Sequence, residues 1–315
     1  MPTPCSSTSS TPARTPSWPT PRPTGSRPSA RPSRPSWPVA RRCTSSPRSP
    51  ARGSDRAVAT YLDRILARHR EVAAADRRSV ATLREHAAAM VPTRGFRAAL
   101  AAAPHLAVIS EVKRRSPSKG DLNAGLDPAA FARDYQRGGA SCLSVLTDEE
   151  FFGGSITDLQ MARAACTLPV LRKDFTVCEQ DVLDARLMGA DCVLLIAAAL
   201  SRAELVAFHR LADEIGLDVL VEIHDEPELE VALSAGATLI GVNQRDLVTF
   251  QVDHDRAVRM AAVIPDGVVK VAESGVRGAA DAASLRAAGY HAVLVGETLV
   301  TSGDPAAAIG SLIGV

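Results

Sequence analysis

Short apolar runs rich in Val, Leu and Ile recur eight times in the chain: 106–112, 141–146, 169–171, 192–196, 218–223, 238–242, 268–272 and 292–295. Each is brief and nearly continuous, which reads as a strand buried on both faces. Eight Ala-rich segments follow them in turn, with apolar positions at helical spacing: 128–137, 156–165, 179–188, 202–215, 226–234, 255–263, 279–288 and 305–312. Gly138-Gly139, Gly189, Gly236 and Gly289 stand just past four of these helices, where a left-handed cap is expected. Strict alternation of this kind predicts a parallel sheet covered by helices. Eight units with no extra strand fit a closed (β/α)8 TIM barrel better than an open sheet. An open dinucleotide-binding sheet would want G-x-G-x-x-G after the first strand, and none is there.

A barrel takes roughly 250 residues, so the 315 residues hold one barrel with an N-terminal addition. Tyr61, Leu62, Ile65 and Leu66 recur at helical spacing, and 79–90 reads as a second helix ended by Pro92 and Gly95. The α/β barrel domain is therefore expected over 55–315, with an N-terminal helical extension at 57–90.

Residues 1–54 break the pattern. They are dominated by Ser, Thr, Pro and Arg, with nine arginines and no acidic residue. Such a segment cannot bury enough apolar surface to offset its ordering entropy, and it reads as a disordered tail. It reads equally as sequence upstream of a later start, near Val58; a transit leader is the lesser reading. The formal net charge of +1 hides this asymmetry, because the remainder holds 27 basic and 35 acidic residues. A basic nucleic-acid patch would exist only in the tail. The apolar run at 193–200 is too short to span a bilayer. None of the six cysteines forms a C-x-x-C pair, and Cys142 and Cys192 read as small core residues. The expectation is a cytoplasmic enzyme without nucleic-acid or membrane partners.

Barrel active sites sit at the C-terminal ends of the strands. Polar residues cluster where the apolar runs stop. The first run ends in Glu111-Val112-Lys113; two apart on a strand, Glu111 and Lys113 point together into the barrel, where such a pair can tune each other's protonation or serve as a structural ion pair closing the barrel bottom. The third ends in Arg172-Lys173-Asp174-Phe175, where Lys173 reads as a general acid, a Schiff-base former or a solvated loop lysine. The fifth ends in Glu222-Ile223-His224. Glu222 is a candidate base, and His224 reads as a supporting residue or a helix start. A metal held by Glu222 and His224 would lack a third ligand nearby, so no metal is expected. After the sixth, Asn243 offers a donor and an acceptor, and Arg245 could hold an anion or bridge to a Glu. Glu273-Ser274-Gly275 after the seventh and Gly296-Glu297 after the eighth fit a phosphate site built from backbone N–H groups. Asp148-Glu149-Glu150 reads as a solvated loop face, and Phe151-Phe152-Gly153-Gly154 as a lid or as rim packing.

Together, Glu111-Val112-Lys113 through Ser116-Pro117-Ser118-Lys119-Gly120, Leu171-Arg172-Lys173-Asp174-Phe175, Leu220-Val221-Glu222, Gly241-Val242-Asn243 with Arg245-Asp246-Leu247, and Ala272-Glu273-Ser274-Gly275 resemble the indole-3-glycerol phosphate synthases of tryptophan biosynthesis. The resemblance runs over about 57–315; Gln244 and Glu297 depart from it without touching the expected chemistry, and 1–54 has no counterpart. It implies a decarboxylase, a carbon–carbon lyase acting on 1-(2-carboxyphenylamino)-1-deoxyribulose 5-phosphate without a cofactor. It implies Lys173 as general acid, Lys113 on the substrate carboxylate and as a second proton donor, Glu222 as base or acid of the dehydration, and Glu111 holding the network and sharing in proton transfer. Ser116, Phe175, Asn243, Arg245, Glu273 and Ser274 would hold substrate. Ser274, Gly275, Gly296 and Glu297 would hold its phosphate. The two N-terminal helices would lie across the mouth, and transient contact with other enzymes of the pathway is expected. An aldolase, a phosphoribosylanthranilate isomerase and a non-catalytic barrel are the rival readings. The isomerase wants a catalytic Cys near Glu111, and a scaffold would lack the charged strand ends.

Overall fold

The computed structural model describes residues 60–117, 119–246 and 248–314. The expected tail at 1–54, and residues 57–59 of the expected extension, lie outside the described residues. Three helices come first: α1 (Tyr61–Ala75), α2 (Val80–Ala88) and α3 (Phe96–Ala101). The first barrel strand is β1 (Ala107–Val112), followed by a two-strand flap, β2 (Arg115–Ser116) and β3 (Gly120–Asp121). The remaining units are α4 (Pro128–Arg137), β4 (Cys142–Leu146), α5 (Ile156–Ala165), β5 (Val170–Lys173), α6 (Glu179–Leu187), β6 (Cys192–Ile196) and α7 (Arg202–Glu214). Then come β7 (Asp218–Ile223), α8 (Glu226–Ser234), β8 (Leu239–Asn243), α9 (His254–Val263), β9 (Val269–Glu273), α10 (Ala279–Ala287), β10 (Ala292–Val295), α11 (Glu297–Val300) and α12 (Pro305–Ile313). The strands close a parallel barrel in the order β1-β10-β9-β8-β7-β6-β5-β4. Ala107 pairs with Ala292 on one side of β1, and Ile109 with Cys142 on the other.

Two apolar layers follow from the two-residue period of the strands. Val108, Leu143, Val145, Val193, Val221 and Val293 point outward to the helices. Ala107, Ile109, Cys142, Leu171, Leu194, Leu220, Leu239, Val271 and Leu294 fill the barrel. The same inward parity, continued by one more residue, reaches Glu111, Lys173, Glu222, Asn243 and Glu273. The expected strands 169–171, 238–242 and 268–272 are therefore one or two residues too short at their C-terminal ends. The apolar signal stops where the inward position turns polar, although the backbone ladder continues. Gly139, Gly189, Gly236 and Gly289 have φ between 90° and 96°, as the capping pattern required. Cys142 and Cys192 are buried and free. Among the described residues, no helix is long and apolar enough to cross a membrane.

The N-terminal helices correct one expectation. Thr60 and Asp63 form a capping box that starts α1, and Ser79 caps α2. Only α1 reaches the mouth. Helix α2 lies along the flank against α6, where Arg78 Nη2 meets Asp184 Oδ2 at 2.7 Å. A third helix, α3, was not legible in the six residues after Gly95. Its Phe96 and Leu100 join the inner layer and plug the N-terminal end of the barrel, and the Arg97 N–H donates to Asp218 Oδ2 at 2.9 Å. Phe96→Ala should cost about 3–5 kcal/mol through the cavity it leaves. The check is urea unfolding: an unchanged midpoint would mean that α3 is not a plug.

Candidate active site

Lys173 ends β5 inside the mouth, with its side chain 17% exposed. The reading of Lys173 as a solvated loop lysine is thereby overturned. Its Nζ is 3.2 Å from Glu222 Oε2 and 3.6 Å from Glu273 Oε2. Burial disfavours this ammonium, but the carboxylates of Glu222, Glu273 and Glu111 outweigh burial and hold its pKa above the ordinary lysine range. Glu111 on β1 and Lys113 just past its end form an ion pair, as their spacing required. Two close approaches make room for these groups. A Cβ at Gly241 would collide with Glu273 Oε1, and one at Gly296 would collide with Glu111 Oε2. Glycine at these inward positions lets long acidic side chains lie across the neighbouring strand.

Three carboxylates face two ammonium groups, so one carboxylate is in excess. Burial pushes Glu222 up, but Lys173, His224 and a 2.9 Å hydrogen bond from Asn243 Nδ2 hold it below the usual carboxylate range. Glu273 takes the opposite course. Burial, then Glu222 and Glu111, push it up to about 8 against the pull of Lys173. Its Oε1 is buried with no protein hydrogen-bond partner. The two carboxyls are thus pushed apart: a proton shared between them rests more on Glu273 than on Glu222.

This has a measurable sign. The folded-state pKa of about 8 lies above the ordinary 4.5. Folding therefore takes up a proton at Glu273, and that contribution to stability is present below the ordinary value and lost as pH rises through about 8. Glu273→Gln removes the loss. Its Tm relative to the parent should rise by a few degrees between acidic and alkaline buffer. An offset independent of pH would refute the shifted Glu273.

The loops after β8, β9 and β10 form the opposite wall. Asn243 Oδ1 accepts from Ser274 Oγ at 2.8 Å and from the Arg245 N–H at 3.0 Å. Ser274 has φ of 65°, a strained value for a non-glycine residue, and Gly275 follows with φ of 74°. Together they turn the chain sharply back toward the mouth. Thr298 Oγ1 donates to Val276 O at 2.8 Å, joining the loops after β9 and β10. Gly296 and Glu297 begin the short α11, and Lys119 from the flap lies 3.6 Å from Glu297 Oε1. Arg245 bridges to the Phe250 carbonyl at 3.0 Å rather than to a Glu. Ser116 is buried in the flap, and its Oγ has no protein partner.

Every expected site residue lines one cavity of about 540 Å³. Tyr61, Leu62 and Ile65 of α1 roof it, and Phe152 and Phe175 line one side with ring centroids 6.1 Å apart. Phe151 turns away and packs edge-on against Tyr61 at 5.8 Å, so the two phenylalanines split between cavity lining and rim packing. His224 is not in the cavity lining; its Nδ1 lies 3.1 Å from Glu228 Oε2, a supporting position.

Two expectations fail. Asp148 is not a solvated loop residue: it is buried and accepts hydrogen bonds from the N–H groups of Phe151 and Phe152. Glu149 and Glu150 are exposed. Gln244 does touch the site, because its buried amide donates to Ser274 O at 2.8 Å. Tyr61, Leu62 and Ile65 were legible as a helix at the mouth but not as cavity lining, and His254, from α9, and Arg277 are among the lining residues that were not foreseen. Strand-end polarity carries no signal for groups that arrive from helices.

Comparison with known proteins agrees with this geometry. Indole-3-glycerol phosphate synthase 2 of Streptomyces coelicolor is 54% identical over 237 residues, covering 75% of this chain and 92% of that one. The indole-3-glycerol phosphate synthase of a Polaromonas strain is 47% identical, covering 82% of this chain and all of the other. Among solved structures, thiamine phosphate pyrophosphorylase from Pyrococcus furiosus shares the fold alone, with a TM-score of 0.50 at 15% identity over 66% of this chain and 93% of that one. The sequence model of the family described as indole-3-glycerol phosphate synthase matches residues 62–312. By that match and these identities, the chain belongs to the indole-3-glycerol phosphate synthase family.

Proposed function

We propose that this enzyme closes the pyrrole ring of 1-(2-carboxyphenylamino)-1-deoxyribulose 5-phosphate, releasing carbon dioxide and water, as a carbon–carbon carboxy-lyase. The observation that carries this reading is Lys173. It is a buried ammonium kept protonated between Glu222 and Glu273, in a mouth with Lys113 on one side and the Ser274–Gly275 turn on the other. As the aryl carbon attacks the ketone, negative charge grows on the ketone oxygen, and Lys173 supplies the proton there. Lys113 pairs with the aryl carboxylate until it leaves as carbon dioxide, and Glu111 steadies Lys113. Lys113, freed by the loss of carbon dioxide, then gives a proton to the departing hydroxyl, which leaves as water, and the ring proton needs a base. Glu222, ionised and held by Asn243, is the base.

Phe175 and Ser116 flank the aryl and sugar parts, and Arg245, Asn243, Glu273 and Ser274 orient the chain of the substrate. Ser274, Gly275, Gly296 and Glu297 hold the phosphate, mostly through backbone N–H groups. On this reading the barrel domain of 55–315 carries the reaction, working in the cytoplasm on a small phosphorylated substrate, with only passing contacts to neighbouring enzymes. The test is incubation with that substrate while indole fluorescence is followed; no signal from folded protein would overturn the reading.

An aldolase is the rival, with Lys173 as a Schiff-base former. Its amine would have to be neutral to attack, and the surrounding carboxylates, Glu222 foremost, hold it protonated. Borohydride with a keto-sugar phosphate should therefore trap no adduct.

A further inference from the structure

Helix α1 roofs the cavity through Tyr61, Leu62 and Ile65, and one turn further on it presents His69 to the barrel rim. His69 Nε2 is 2.9 Å from Asp148 Oδ2 and 3.8 Å from Asp174 Oδ1. A ring nitrogen this close to a carboxylate oxygen carries a proton. Both carboxylates are also tied to the aromatic lining. Asp148 Oδ1 accepts from the N–H groups of Phe151 and Phe152 at 2.6 and 3.0 Å. Asp174 Oδ1 accepts from the Phe175 N–H at 2.9 Å. The His69 ring itself lies against Phe175, with centroids 5.5 Å apart. One imidazole therefore touches the roof helix, the loop after β4 and the end of β5 beside Lys173.

We propose that protonated His69 is a positioning residue that seats α1, Phe152 and Phe175 as one apolar wall for the aryl ring of the substrate. The identity of the ring rests on the function proposed above; the seating of α1 does not. Three carboxylates face the imidazole: Asp148 after β4, Asp174 after β5 and Asp181 of α6. Arg172 pairs with Asp174 from β5 at 2.9 Å. On α1 itself, Arg68 is turned to Glu71 and Glu150. Arg70 is tied to Glu204 at 3.0 Å, and the Arg70 guanidinium and the Ser201 N–H hold that carboxyl down at about 2. Burial disfavours the imidazolium, but the carboxylates prevail and raise His69 above its ordinary range. A raised pKa means that the contribution to α1 docking is complete at acidic pH and lost as pH rises through the folded-state value.

Hydrogen exchange of α1 in the full chain without substrate tests this, with intrinsic rates corrected for pH. Protection of residues 61–75 should fall between pH 6 and pH 9, by about tenfold for each unit by which His69 is raised. His69→Gln keeps a donor but cannot be charged, so its α1 should show the low protection at both pH values. Its KM should rise about fivefold or more and lose its pH dependence, with kcat within about twofold, as for loss of binding shared by ground and transition states. Equal protection in parent and variant at pH 6 overturns the seating of α1, whatever reaction the enzyme runs. Lower protection with unchanged KM overturns the link to the aryl wall. Absence of turnover in both proteins counts against the proposed reaction and leaves the exchange result standing. Should His69→Gln fail to fold, the imidazole NMR titration of the parent decides: a midpoint at or below about 6.5 overturns the proposal.

Discussion

Lys173→Ala is expected to lower kcat by on the order of 10⁴-fold while KM moves by no more than about threefold. The ammonium serves two ends. It donates a proton, worth about 10²–10⁴-fold, and it stabilises charge on an oxygen in a mouth shielded from water, a single donor of that kind being worth about 10²–10³-fold. Binding survives because carboxylate and phosphate are held elsewhere, by Lys113 and by the loops after β9 and β10. Deleting the ammonium leaves Glu222 and Glu273 without their shared partner. Glu273 is already pushed up to about 8, so it stays neutral, and Glu222 takes up a proton more readily. The variant should thus remain folded, which circular dichroism checks alongside the kinetics. Turnover near the parent rate would remove Lys173 as the general acid.

Glu222→Gln should be the second largest effect, about 10²–10³-fold in kcat, on a later step. Gln keeps the shape and an oxygen for the Asn243 Nδ2 hydrogen bond at 2.9 Å. It cannot accept the ring proton during dehydration. It also removes the strongest carboxylate pull on Lys173, which makes that acid slightly stronger. Ring closure should then proceed while water loss stalls. In a single turnover, carbon dioxide should appear well ahead of indole fluorescence. If both signals appear together at the parent rate, Glu222 is not the base. The pair of variants separates the halves of the reaction: one blocks bond formation, the other lets it pass.

Much of this site was legible before the fold was known. Glu111 and Lys113 lie two apart at the end of an apolar run, and inward parity follows from the strand period alone. The run at 169–171 ended two residues before β5 does, because Arg172 and Lys173 break the apolar pattern while their backbone stays in the ladder. That misreading is itself informative: a polar residue within a strand is where the mouth begins. Gln244 was set aside as an inert departure, since nothing in its neighbours says that its amide will reach Ser274 O across the β8–β9 gap.

The sequence by itself determined the barrel, its eight strands and the identity of the charged ring, because periodicity and strand-end polarity are local properties of the chain. Only the tertiary structure decided which charges those residues carry. Glu222 and Glu273 are both glutamates at strand ends, but the closure of β7, β8 and β9 sets Glu222 under Asn243 and beside Lys173 and leaves Glu273 Oε1 unpartnered. Closure lowers the proton affinity of one and raises that of the other. The same holds for α1 and α3. Which one roofs the mouth or plugs the base depends on the surfaces they meet, contributed by strands and loops far away in sequence. Long-range packing and the dielectric it creates are sums over neighbours that no local pattern contains.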